Sequence, residues 1–246
     1  MNPGDTPVKR PLVLVIPVRN ESANVPDLLR MVANIPHVHV VFVDHDSSDD
    51  TNALLVAGGA IVVKCDSGGG FGRAVRTGVK AAAQMLRDMP DGSGEGYIGW
   101  LPGNLKSSPV DAAKLADKLD ASHAYDSAYV KAKRVGRPFL EWGPSAFAGI
   151  ILSVWGMGPY WEVGGTPTIV PATRADVLLR GPDGLEFETY VITAMRREGL
   201  RMVRLSAAFG KRVHGASHWN RGLGSQINLL RRLMREISRT RAESKL

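Results

Sequence analysis

At 246 residues, 44% of them apolar and 22% charged, the chain is long enough for one sizeable core and too apolar to be mainly disordered. Its single cysteine, Cys65, excludes an intrachain disulfide and a cysteine-rich zinc site, and no apolar run is long enough to span a bilayer. A formal charge of +7 and a pI near 9.7 favour anionic partners: nucleotides, phosphates, nucleic acid or an acidic membrane surface. The opening MNPGDTPVKR is polar and carries no signal-type apolar region, so residues 1–10 read as a flexible tail and the expected location is cytoplasmic.

Leu12 to Ile16 and Val38 to Val43 are short β-branched runs that end abruptly in polar residues, the pattern of strands buried in a parallel sheet. Between them Val25, Leu28, Leu29 and Val32 recur at helical spacing. The unit is therefore strand–helix–strand, and it brings Pro17, Arg19 and Glu21 to one rim with Asp44, Asp46 and Asp49, where open α/β sheets bind ligands. A helix is predicted from near Ser48 to Ala57, and a third strand over Ala60 to Lys64. The glycine cluster Gly68 to Gly72 leads into an Ala-rich helix. After a loop at 90–96, Tyr97 to Leu101 reads as a strand ending at PGNLKSSP, and Val110 to Leu119 as a helix.

Ala128 to Val130 is a strand candidate followed by the basic stretch KAKRVGRP. Phe139 to Gly158 is aromatic and small, which suits either an acceptor- or membrane-facing segment or a buried helix. Thr168 to Val170 reads as a strand, Phe187 to Arg197 as a helix, and Met202 to Phe209 as one alternating strand. Ser225 to Ile237 has an apolar stripe among arginines. Such a helix can lie on an anionic membrane, pack on the domain or pair with a second subunit. The chain thus divides into the tail, one domain over 11–224 and a basic amphipathic helix within 225–246.

VIPVRNESANVPDLL followed by VFVDHDSSDDT resembles the opening of family 2 glycosyltransferases of GT-A fold, and among them the dolichol- or polyprenyl-phosphate sugar synthases. The resemblance runs from about Leu12 to Trp219. It implies a Rossmann-like, mostly parallel α/β sheet with helices on both faces. It also implies transfer of a hexose from a UDP- or GDP-hexose to a polyprenyl phosphate, by a single inverting displacement. Asp44 would accept hydrogen bonds from the base, with Pro17, Arg19, Glu21 and Asp46 lining the base and ribose pocket; alternatively the acids cap the following helix. Gly70, Gly72, Ala74 and Gly78 resemble a segment whose small residues pack over the nucleotide. Helix N-termini attract anions, but the Lys-Ser/Thr of a P-loop is missing, and a tight turn with helix–sheet packing is the other reading.

Relatives in this resemblance carry D-x-D-x-Q after the fourth strand, whose acids bind Mg²⁺ or Mn²⁺ across the donor diphosphate. Here Pro102, Gly103, Asn104 and Lys106 fill that stretch. A divalent ion prefers anionic oxygens, and Asn104 is the one remaining ligand for it. Lys106 is expected to supply part of the missing charge, with weak metal dependence or none; a decayed, inactive nucleotide-binding scaffold is the alternative. The resemblance implies that Lys131, Arg134 and Arg137, with Ser145, receive the acceptor phosphate.

Glu186 and Glu188, along with Glu162, are the candidate general bases. A glycan or small-molecule hydroxyl acceptor needs one and a lipid phosphate does not; acids at a helix start also suit its dipole. KRVHGASHW resembles the family's donor-binding loop, with Arg212 as phosphate clamp beside Ser217 and His218. A polyprenyl acceptor would bring the protein to the inner face of the membrane. Nucleic acid is not expected, because the basic residues do not interleave with aromatics.

Overall fold

The structure, a computed structural model, describes residues 9–66, 68, 70–135, 150, 153–154, 163–210, 231–232, 234–236 and 238–239. Four parallel strands, β1 (Leu12–Val18), β2 (Val38–Asp44), β3 (Ile61–Lys64) and β4 (Tyr97–Trp100), begin a seven-stranded sheet. It is completed by β5 (Ala128–Lys131), β7 (Thr168–Pro171) and β8 (Arg201–Val203) in the order β3-β2-β1-β4-β7-β5-β8. Only β7 runs backwards, antiparallel to β4 and β5. The chain steps outward from β1 to β3 and then crosses to the other side of β1 to lay down β4. The resulting crevice lies outside the carboxyl ends of β1 and β4, the topological switch point of such sheets.

The two faces of the sheet are divided by the period-two alternation. Val13, Val15, Val41 and Val43 face α3 (Phe71–Arg87) and α6 (Phe187–Arg197). Leu12, Leu14, Ile16 and Phe42 face α1 (Val25–Val32), α2 (Thr51–Ala57) and α4 (Pro109–Ala121). Burial on both faces explains why β1 reads as an unbroken apolar run. Helix α3 lies close against β1 because Gly78 has no side chain; a Cβ there would collide with Val15 Cγ1 and stand 2.9 Å from Val43 Cγ2. Helix α4 starts on Pro109, with the Ser108 hydroxyl accepting the Val110 N–H at 3.2 Å.

The expected strand over Met202 to Phe209 divides in two. β8 pairs with β5 in the main sheet, whereas β9 (Ser206–Ala208) pairs with β6 (Lys133–Val135) in a separate parallel ribbon. Both pairs turn at the same level. The Ala132 N–H leaves β5 for the Pro167 carbonyl at 3.0 Å, and the Lys133 N–H takes the Leu205 carbonyl at 2.8 Å. Helix α2 begins at Thr51 rather than near Ser48, because the Ser47 and Ser48 N–H groups are held by Asp44 Oδ1 (3.1 Å) and Asn20 Oδ1 (2.7 Å).

The described residues of 231–239 are helical. Glu236 there is buried and accepts from Arg239 at 3.0 Å. Arg239 lines a recess with Arg180 and Val177, at the end of α5 (Ala175–Leu179), and with Tyr190 of α6. No helix among the described residues is long and apolar enough to cross a membrane.

Candidate functional site

Two loops are laced together at the carboxyl ends of β1 and β2. Asn20 and Asp46 sit at φ +53° and +57°, the left-handed conformation that Asn and Asp tolerate best. The Asn20 N–H reaches Ser47 Oγ at 3.1 Å, the Glu21 N–H reaches Thr51 Oγ1 at 2.8 Å, and the Ser22 N–H reaches Asp49 Oδ2 at 3.1 Å. Partial burial alone would raise the Asp49 pKa, but hydrogen bonds from Thr51 and Ser22 hold it at about 2. Asp49 therefore acts as a staple between the loops. Asp44, buried at the tip of β2, accepts the Ser47 N–H, a bond in the loop ahead of α2 and not a cap on that helix, which begins at Thr51. Asp46 and Arg19 are exposed, Pro17 is half-buried, and Glu21 is buried with its carboxylate accepting from Asn24 Nδ2.

On the other side of β1 the chain after β4 repeats this closeness. The Gly103 N–H donates to the Pro17 carbonyl at 3.0 Å, as the His45 N–H does to the Val18 carbonyl at 2.9 Å. A Cβ at Gly103 would stand 2.6 Å from Val18 Cγ1, so only glycine brings Pro102 and Asn104 this near the end of β1. Asn104 Oδ1 turns back to accept the Lys106 N–H at 3.1 Å. The Lys106 carbonyl accepts the Gly210 N–H at 2.9 Å. Lys106 Nζ lies 5.4 Å from the centre of the Phe209 ring and the Arg134 guanidinium 4.8 Å from it, so one aromatic side chain gathers two cations.

Beneath this rim lies a sealed polar network. Lys131, fully buried at the end of β5, is ion-paired with Glu188 Oε2 in the first turn of α6 and donates to Thr168 Oγ1 at 3.3 Å. The other Glu188 oxygen accepts Trp100 Nε1 at 2.9 Å. Burial pushes the Lys131 pKa below 10.5, opposed by Glu188 and reinforced by the nearby Arg204 and Arg134. Lys131 and Glu188, expected in acceptor binding and in catalysis respectively, are thus each other's partner. Glu186 stands at the start of α6, half-buried, with Oε2 enclosed and without a hydrogen-bond partner.

The start of α3 is closed by protein. The Gly72 N–H takes the Gly184 carbonyl at 3.2 Å and the Arg73 N–H the Asp183 carbonyl at 3.0 Å. A Cβ at Gly72 would collide with the Pro182 carbonyl. Arg73 and Arg76 both pair with the Asp183 carboxylate. The glycines serve the tight helix–loop packing, and these N–H groups carry no anion cradle.

Arg137, Ser145, Glu162, Arg212, Ser217 and His218 lie outside the described residues. The sequence reading missed Phe209 and Arg204, which look like strand filler until the ribbon folds them over Lys106 and Lys131. It also missed Trp100, whose indole N–H marks the last residue of β4.

The Glycosyl transferase family 2 model matches residues 13–86, which is β1 through α3. No curated protein matches the sequence. Among solved structures, the chain is similar to glucosyl-3-phosphoglycerate synthase from Mycobacterium tuberculosis in complex with Mn²⁺, UDP and glucosyl-3-phosphoglycerate. That likeness has a TM-score of 0.71 at 16% identity and covers 95% of this chain and 80% of that one. The same synthase in complex with phosphoglyceric acid gives 0.69 at 17%, covering 97% and 86%. A further mycobacterial protein gives 0.72 at 18%, covering 98% and 80%. Residues 13–86 thus match the glycosyl transferase family 2 model, and the chain shares the GT-A fold of these solved structures.

Proposed function

We propose that this glycosyltransferase moves a hexose from a nucleotide diphosphate sugar to a polyprenyl phosphate by a single inverting displacement. The observation that carries the reading is the division of charge along the rim. Asp44 and Asp46 stand at the end of β2, while Lys106, Arg134 and Arg204 gather beyond β4 and β5. A carboxylate suits the N–H groups of a nucleobase, and the cations suit the donor diphosphate and an acceptor phosphate. Asp44, with Pro17 and Arg19, holds the nucleoside. Lys106, with Arg212, manages the diphosphate, and Arg134, with Arg137, receives the acceptor. Lys131 acts from below, through the field it shares with Glu188.

An acceptor phosphate is anionic near neutral pH and attacks without a base. That fits a site whose Glu188 has both oxygens engaged. The exposed Arg231, Arg232 and Arg235 would meet anionic headgroups where such a lipid resides. A second reading is a small phosphorylated hydroxy acid as acceptor, favoured by the phosphoglyceric acid bound in the structural neighbours. Its hydroxyl needs a base, and Glu186 is the candidate carboxylate for it among the described residues.

The test is incubation of the full chain with UDP- and GDP-hexoses and either short-chain polyprenyl phosphate in detergent or phosphoglyceric acid, with products read by mass spectrometry. A glycosylated polyprenyl phosphate is expected. Product from phosphoglyceric acid alone selects the second reading, and none from any pair overturns both.

A further inference from the structure

We infer that the leaving diphosphate is neutralised by Lys106 rather than by a divalent ion. The inference rests on the nucleotide-sugar reading above and concerns how that same site meets the charge. Neighbours of this fold hold Mn²⁺ together with UDP, so the ligand set of this chain can be tested against such an ion. Among the described residues, the side chains that could ligate such an ion at the switch point are those of the loops that end β1, β2 and β4.

On the β1 and β2 side, Glu21 accepts from Asn24, Asp44 from the Ser47 N–H, and Asp49 from Ser22 and Thr51, while Asp46 stands exposed beside them. On the β4 side, residues 101–108 contain no acid at all. The first carboxylate beyond them, Asp111, accepts the Ala208 N–H at 3.2 Å. In that loop Asn104 Oδ1 accepts the Lys106 N–H, the Ser107 hydroxyl bonds Thr166, and the Ser108 hydroxyl accepts the Val110 N–H. No three metal-ligating side chains converge among the described residues. Hard divalent ions need several oxygens, preferably anionic, so these residues do not fit one.

The same loop instead carries a cation. Lys106 is half-buried at the rim, and its ammonium shares the Phe209 ring with Arg134. The Gly210 N–H bond to the Lys106 carbonyl fixes the backbone there. A lysine held at this place supplies a positive charge without reorganisation, which is what a developing diphosphate requires.

Calorimetric titration of the full chain with UDP and GDP, in EDTA and in excess Mn²⁺, tests this. Nucleoside diphosphate should bind in EDTA with a Kd within about twofold of that in Mn²⁺. Lys106→Met should weaken that binding about tenfold or more, with uridine or guanosine affinity unchanged and Lys106→Arg retaining most of it. Melting temperatures of both variants exclude misfolding as the cause. Binding that tightens about tenfold or more with Mn²⁺ overturns the inference and leaves the donor reading standing, as does indifference to Lys106→Met. Absence of nucleotide binding in both buffers overturns the inference and the donor reading together.

Discussion

Lys131 and Glu188 form an ion pair sealed inside the molecule, joining the end of β5 to the first turn of α6 with 0% and 8% of their side chains exposed. Removing one member strands a charge in the interior, which costs about 3–5 kcal/mol. Lys131→Met and Glu188→Leu should each lower urea-denaturation stability by that order, and the double substitution should recover much of it. Because burial lowers the Lys131 pKa, the unfolded chain binds that proton more tightly. This group's contribution to stability therefore rises with pH in the window below 10.5, and the rise should vanish in Lys131→Met.

Gly78→Ala sets helix propensity against packing. Alanine favours the helix by roughly 1 kcal/mol, but its methyl would enter the space of Val15 and Val43 at the α3–β1 contact. Overpacking costs about 1–3 kcal/mol. The substitution should therefore lower the melting temperature, whereas helix propensity alone would raise it.

Asp49 gives the acid side of the stability profile. Its pKa of about 2 in the folded protein lies below the ordinary 3.8, so its contribution is complete above 3.8 and is lost as pH falls through the folded value. The residue is exposed, so screening keeps that contribution to no more than about 1 kcal/mol. Melting curves of the protein and of Asp49→Asn should be offset at neutral pH and converge as the acid limb passes below 3.8.

Glu186→Gln separates the two acceptor chemistries. With a lipid phosphate as acceptor, kcat should change by less than about threefold, because no proton has to be removed. A loss of roughly a hundredfold or more, with KM for the nucleotide-sugar unchanged, would identify a hydroxyl acceptor and a base.

The frame of the fold was legible because β1 and β2 are apolar on both faces and helix α1 repeats at 3.6 residues. These local periods survive in sequence, and helix α6 over Phe187–Arg197 lies where its pattern predicts. The break at Arg204 and Leu205 was not legible. Period-two alternation runs on through it, and the change of partner from β5 to β6 depends on Ala132 leaving the sheet. The placement of Asp44 at the tip of β2 was readable, because a polar residue there ends an apolar run. It was misleading at Lys131 and Glu188, since their burial follows from the approach of α6 to the end of β5, 57 residues apart in the chain. The glycines before α3 were ambiguous for the same reason: the 182–184 loop that fills their space comes from the other half of the protein.

The reversed strand β7 has an architectural consequence. It enters the sheet at Thr168 beside Trp100 and Lys131 and leaves at Pro171 beside Tyr97. Its doorway, rather than its exit, therefore opens onto the pole where β1 and β4 end. Gly165 keeps that doorway tight, since a methyl group there would strike the Ala132 carbonyl. Extra residues spliced in ahead of Gly165 would remodel the rim at which we propose the acceptor binds. The same residues spliced in behind Pro171 would emerge at the opposite pole, which marks that bend as the place to graft a tag or a tether.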